Sequence, residues 1–495
     1  MDVSKCMIFE SLWENAATVF INLLEENYLI NHNACKISTM KIQPLFFSIF
    51  LPAVVTAQTG TGSGTPAERM RIAKEMDKSI KTELLNKWYP QSADSIYGGF
   101  LSTFTYDFKP IGEQDKFIVS QSRHTWTSAK AAELYPEIGY YITCAKHGFQ
   151  FLRDKMWDKT YGGFYNLVDR KGNFINDSKA PKDAYGNAFG IYALSAYYKA
   201  SGDTAVLNLA KKAFFWMENH SHDPVHKGYF KHLQRDGTPI IRDLGAPSNS
   251  SMGYKDQNSS IHLLEAFTAL YEVWPDSLVG SRLKEMLLLI RDTITTKRGY
   301  LTLFFKPDWT PISFRDSSEA IILKNKNLDH VSFGHDVETA YLMLEASHAL
   351  GLRDDTTTMA IGKKMVDHAL KNGWDKVLGG FYDEGYYFKG RDTLTIILDS
   401  KNWWAQAEGM NTLLLMADHF PNDPMHYFEK FKQLWNYIQT YVIDHVYGDW
   451  YAGGLDKEPD KKTALKGHIW KATYHQFRAL SNCVKQLQPP GKKED

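Results

Sequence analysis

The chain has 495 residues, with 57 basic residues against 57 acidic ones and a formal net charge of zero. That balance gives no support for binding nucleic acid through a general electrostatic surface. Four cysteines make no disulfide framework, and no CxxC or HExxH spacing marks a metal site.

In chain order, the N-terminus reads first as a processing segment. Met40-Lys41-Ile42-Gln43-Pro44 is followed by the apolar run Leu45 to Val55 and by the small-residue site Val55-Thr56-Ala57 before Gln58. A basic residue, a short apolar run and a small-residue cleavage site make a signal peptide. The run is shorter than the roughly 20 residues of a spanning helix. The expectation is an upstream extension over 1–39, a signal peptide over 40–57, a Gly- and Thr-rich spacer over 58–67 and a secreted or periplasmic mature chain. A genuine N-terminal helix over the apolar Ile8 to Leu29, and a cytoplasmic protein, is the alternative. Of the cysteines, Cys144 and Cys483 lie beyond the cleavage site in apolar helical patterns, as buried thiols do.

Beyond the spacer, helical patterns come in pairs: 66–88 and 121–134, 136–155 and 183–200, 203–220 and 256–274, 276–296 and 335–350, 354–372 and 401–419, 423–445 and 467–484. Short breaks such as Ser201-Gly-Asp203, Trp274-Pro-Asp276, Gly351-Leu-Arg-Asp354 and Phe420-Pro-Asn-Asp423 end one helix and offer an Asp to the next N-terminus. A glycine-aromatic signature recurs six times, at glycines 98, 162, 228, 299, 379 and 448, with gaps of 64, 66, 71, 80 and 69 residues. Several copies continue as an extended run and a turn, as in Asp169-Arg-Lys-Gly172, which is hairpin chemistry. A sixfold repeat of helix pairs predicts an all-α fold, an (α/α)6 toroid with short β-hairpins at one end. It forms a single domain over 68–485, with a tail over 486–495.

Every second helix starts with functional side chains: Arg123; Tyr185; Asn258 and His262; His335 and Glu338; Trp403, Trp404 and Glu408; Trp470 and His475. If these helices form the inner ring, their N-termini gather an Arg, several His, two Glu and several Trp around one pocket, with positive helix-end potential. His335 and Glu338 are three apart, while Asn258 and His262, Trp404 and Glu408, and Lys471 and His475 are four apart, so each pair can share a face. Asp336 falls in the first turn of its helix, where a negative charge suits the dipole. His220, His222, His226 and His232 have irregular spacing and read as surface histidines.

These motifs resemble the N-acylglucosamine 2-epimerase superfamily, and most of all its cellobiose 2-epimerase branch. The matching stretches are Gln121-Ser-Arg123-His-Thr-Trp126, Asn258-Ser-Ser-Ile-His262-Leu-Leu-Glu265-Ala266, Gly334-His-Asp-Val-Glu338, Trp403-Trp-Ala-Gln-Ala-Glu408 and Trp470-Lys-Ala-Thr-Tyr-His475. The resemblance covers about 68–485. It implies 2-epimerisation at a reducing-end sugar, with His335 and His475 as acid/base groups and His262 serving ring opening. Arg123, Tyr185, Asn258, Glu338 and Glu408 would hold the sugar or orient the histidines. Trp403, Trp404 and Trp470 would form its walls. No cofactor or metal is implied; the partner is a small carbohydrate, with neither nucleic acid nor membrane for the mature form, and the protein is a monomer or dimer. Ala405 and Ala472-Thr473 depart from the residues usual in the family beside the site. Three other readings stay open: an N-acetylglucosamine epimerase or mannose-type isomerase, a glycoside hydrolase using Glu338 with Glu408 or Asp336, and a non-catalytic sugar-binding protein.

Overall fold

The computed structural model describes residues 62–175, 180–242, 249–352 and 355–488. The expected signal peptide, the extension before it and most of the tail lie outside them. Within the expected spacer, Ser63 Oγ donates to Ala417 O and Thr65 caps the first helix at Pro66.

Among the described residues, twelve long helices and one short one make the fold. They are α1 (Pro66–Ser79, continued to Trp88), α2 (Ile118–Leu134), α3 (Tyr140–Phe151), α4 (Ala184–Ser201), α5 (Thr204–His220), α6 (Gln257–Val273), α7 (Ser277–Leu289), the short α8 (Glu319–Lys324), α9 (Phe333–Ala349), α10 (Thr356–Asn372), α11 (Trp403–His419), α12 (Tyr427–Tyr437) and α13 (Tyr474–Leu487). Helices α2, α4, α6, α9, α11 and α13 each pack on the next, and α13 packs back on α2, so the inner ring closes. The reason is composition. Helix α4, for example, buries 13 of its 18 residues, because small and apolar side chains occupy every face. The outer helices α3, α5, α7, α10 and α12 each pack on the inner helix before them, and α1 packs on α13. The tight hairpins therefore run inner to outer, one step out of phase with the pairs read from the sequence, and the ring is closed by its first and last helices. Short loops make these hairpins, and Asp203, Asp276 and Asp355 cap the outer helices as side-chain acceptors. Cys144 and Cys483 are buried free thiols.

At the other end lie the long connections. Two-residue strands just before the inner helices pair antiparallel with strands of the following repeat: Lys116–Phe117 with Leu167–Val168, Lys182–Asp183 with His232–Leu233, and Lys255–Asp256 with Phe304–Phe305. Val331–Ser332 joins a three-stranded sheet with Glu384–Tyr386 and Thr395–Leu398. The six signature glycines all have positive φ, which is why glycine recurs there. The turns they allow aim an aromatic ring inward. A Cβ on Gly190 would sit 2.5 Å from Phe164, and one on Gly409 would sit 2.4 Å from Phe381.

A buried lysine latches five of the six repeats. Lys116, Lys182, Lys255, Lys401 and Lys466 donate to Asp94, Asp158, Asp223, Asp375 and Asp444 at 2.7–3.0 Å. Each Asp also accepts two backbone N–H groups of the turn before the signature glycine. The latch ties the end of an outer helix to the start of an inner one, fixing where the inner N-termini stand. The fourth repeat lacks it: Val331 occupies the lysine position before α9.

Candidate active site

The N-termini of the inner helices surround a cavity of about 210 Å³. Its lining is Arg123, Tyr185, Asn258, His262, His335, Glu338, Trp403, Trp404, Trp470 and His475. Ten of the eleven residues read from the sequence therefore meet in one place. Glu408 is the exception. It is fully buried behind His475 and orients that ring instead of lining the cavity.

Three imidazoles are held in the same way. His262 Nδ1 pairs with Glu265 Oε2 at 2.9 Å, His335 Nδ1 with Ser332 Oγ at 2.7 Å, and His475 Nδ1 with Glu408 Oε1 at 2.7 Å. Each anchor occupies Nδ1 and leaves Nε2 for another partner. His335 and His475 both contact Trp404, with ring centroids 4.6 and 5.9 Å from the indole. Burial lowers both histidines, to about 3 for His335 and well below the ordinary value for His475, where Arg123 and Arg478 add repulsion. Both rings rest neutral at physiological pH.

Arg123 donates to Trp470 O at 2.8 Å and to Tyr185 Oη at 3.1 Å, and its guanidinium lies over the rings of Phe189 and Tyr474. Asn258 Oδ1 is buried without a hydrogen-bond partner, an acceptor that a ligand hydroxyl can satisfy. Trp403 is buried in the wall, and Trp470 stands at the rim with 47% of its surface exposed.

The sequence reading missed the hub beneath this cavity. Arg478, one turn beyond His475 on α13, is buried and ion-paired with Glu265, Glu338 and Glu408. Tyr474 Oη also donates to Glu265. One cation thus faces three buried carboxylates. Against the upward push of burial, Arg478 and His262 hold Glu265 at about 2. Burial wins at Glu408, which is pushed up to about 8 although Arg478 pulls it down. The His262-to-Glu265 and Tyr474-to-Arg478 spacings, three and four residues on helices, were the available signal.

Three further expectations are corrected. Asp336 is fully buried, accepts from Leu301 N at 2.9 Å, and is pushed well above its ordinary value by burial, so it adds no charge to the helix dipole. Lys471 precedes the first turn of α13 and pairs with the buried Asp449, so it shares no helix face with His475. His222 pairs with Glu285 at 2.9 Å and His232 accepts from Gly253 N, so two of the four presumed surface histidines are structural.

The model of the N-acylglucosamine 2-epimerase (GlcNAc 2-epimerase) family matches residues 98–479. The chain belongs to that family. It is 27% identical over 422 residues to the cellobiose 2-epimerase of Bacteroides fragilis, covering 84% of this chain and 98% of that one. It is 28% identical over 425 residues to the cellobiose 2-epimerase of Dictyoglomus turgidum, covering 84% and 99%. The solved structure of the cellobiose 2-epimerase of Spirochaeta thermophila superposes with a TM-score of 0.70 at 26% identity, covering 85% of this chain and 98% of that one. This N-acylglucosamine 2-epimerase family member is thus an enzyme of the carbohydrate epimerase and isomerase class. Among its described residues no helix is long and apolar enough to cross a membrane.

Proposed function

We propose that the enzyme interconverts C2 epimers at the reducing-end residue of a β-linked disaccharide of the cellobiose or mannobiose type. The observation that carries this reading is that His335 and His475 approach one cavity from separate helices, each anchored through Nδ1. Epimerising C2 requires an open-chain aldehyde, removal of the C2 proton and its return from the opposite face. His262, steadied by Glu265, is suited to move the proton that opens the ring. In one direction His335 Nε2 takes the C2 proton, the electrons of the broken C–H bond form the C1–C2 double bond of an enediolate, and His475 Nε2 returns a proton to the other face. The reverse direction exchanges the roles. Each positioned acid or base is worth about 10²–10⁴ in rate. A neutral resting His335 is a weak base, but the negative charge that develops on O1 favours the imidazolium as it forms. Arg123 and the helix N-termini favour the same charge. The Glu408–His475 pair carries a transferable proton below about pH 8, because Glu408 is held at about 8.

The cavity, at about 210 Å³, is smaller than the roughly 300–1,000 Å³ of drug-sized pockets. It suits one sugar ring, with a second ring outside against the exposed Trp470. The hydrolase reading loses its support here. Glu338 and Glu408 lie within 4.8 Å of each other on one guanidinium, and Glu408 is behind His475, so they do not flank a bond as glycosidase carboxylates do. The test is substitution. His335→Asn and His475→Asn should each cut kcat by about 10²-fold or more while calorimetric sugar binding stays close to wild type. Retained turnover in either variant would sink the two-histidine reading, and a wild-type chain that binds sugar without turnover would make it a binding protein.

A further inference from the structure

The fourth repeat, which carries His335, is the one without a lysine latch. The fourth position of the inner helix carries an amide in three of the other repeats. Gln121 Oε1 accepts from Phe100 N at 2.7 Å, Asn187 Oδ1 from Phe164 N at 2.8 Å and Gln406 Oε1 from Phe381 N at 2.8 Å. The same position of α9 is Asp336, which accepts from Leu301 N at 2.9 Å. The three amides also use their N–H groups: Gln121 and Gln406 donate back to Phe100 O and Phe381 O, and Asn187 donates to Asp183 O. Asp336 Oδ2 occupies the corresponding place without a partner and with no exposure.

Among the described residues no cation pairs with Asp336 Oδ2. From α10, His368 Nδ1 faces Asp336 Oδ2 at 4.0 Å and is itself buried without a hydrogen bond. His368 Nε2 pairs with Tyr387 Oη at 2.8 Å, Tyr300 lies against both rings, and Arg298 is spent on the outer face of Tyr387. On α9 itself, His335 and Glu338 line the sugar cavity. A carboxylate with an unpaired oxygen in such a place costs far more than a carboxylic acid.

We propose that Asp336 is a positioning residue for His335: as an uncharged acid it takes the place of the amide found in three of the other repeats and pins the first turn of α9 to the fourth hairpin. The activity part of this inference rests on the role proposed for His335; the stability part does not. The first experiment compares unfolding of wild type, Asp336→Asn and Asp336→Ala across pH. An acid kept protonated in the fold, above its unfolded value, weakens the fold as pH rises past the unfolded value. Asp336→Asn should therefore equal wild type at about pH 4 and become more stable at neutral pH and above, while Asp336→Ala is less stable than Asp336→Asn throughout. The second experiment measures turnover of the same chains. Asp336→Asn should keep kcat close to wild type, and Asp336→Ala should lose kcat several-fold with little change in KM, as a misplaced base does. An Asp336→Asn chain less stable than wild type at neutral pH would overturn the uncharged-acid assignment. An Asp336→Ala chain with wild-type kcat would overturn the positioning role. Wild type without epimerase activity would instead defeat the functional reading and leave the stability result standing.

Discussion

Replacing Arg478 with Met tests whether the hub holds the site together. The substitution keeps length and apolar bulk but removes the one cation shared by Glu265, Glu338 and Glu408. Holding Glu265 at about 2 against an ordinary 4.5, at 1.36 kcal/mol per pH unit, is worth about 3 kcal/mol. That agrees with the roughly 3–5 kcal/mol lost when one partner of a buried ion pair is removed. For a chain of this size the Tm should fall on the order of 3–6 °C at neutral pH. The pH dependence is the sharper readout. In wild type the lowered Glu265 contributes stability that is complete above pH 4.5 and lost as pH falls through about 2. In the variant only the hydrogen bonds from His262 and Tyr474 still oppose the burial of Glu265, so its carboxyl rises and the stability it lends above pH 4.5 shrinks. The deficit should therefore be largest at about pH 7.5 and should shrink at about pH 4, as followed by circular dichroism during thermal unfolding. A variant as stable as wild type at neutral pH, or equally weakened at both, would refute the reasoning.

Two further outcomes follow from the same physics. Because burial keeps both histidines neutral, kcat/KM should show no inflection near pH 6.5 and should fall above about pH 8, where Glu408 gives up the proton it shares with His475; a rate profile governed by a group near 6.5 would contradict the assignment. Lys255→Met should cost about 3–5 kcal/mol in denaturant unfolding by stranding Asp223, and Lys255→Met with Asp223→Asn should recover much of it; no recovery would mean that the latch is not the source.

The ring and the gathering of site residues were legible because both are periodic. Glycines with positive φ must recur wherever the turn recurs, and His335 and His475 stand out as polar side chains at the heads of helices that are otherwise apolar. What stayed hidden depends on distant partners. Lys182, Lys255, Lys401 and Lys466 were visible at the helix starts, but the aspartates that hold them lie 22–32 residues away in the sequence. Arg478 looked like an ordinary helix residue because its carboxylates come from three other helices. Asp336 was misread for a related reason: position in a first turn suggests charge, and only burial from neighbouring elements removes it. The one-step phase of the hairpins follows from ring closure, which a linear repeat does not reveal.

The most direct test is to incubate residues 58–495 with cellobiose, and separately with mannobiose, in D₂O and follow both by proton NMR. The account predicts a new C2 epimer of the reducing-end residue carrying deuterium at C2, with no free monosaccharide. Release of monosaccharide, or a ketose in place of the epimer, would contradict it.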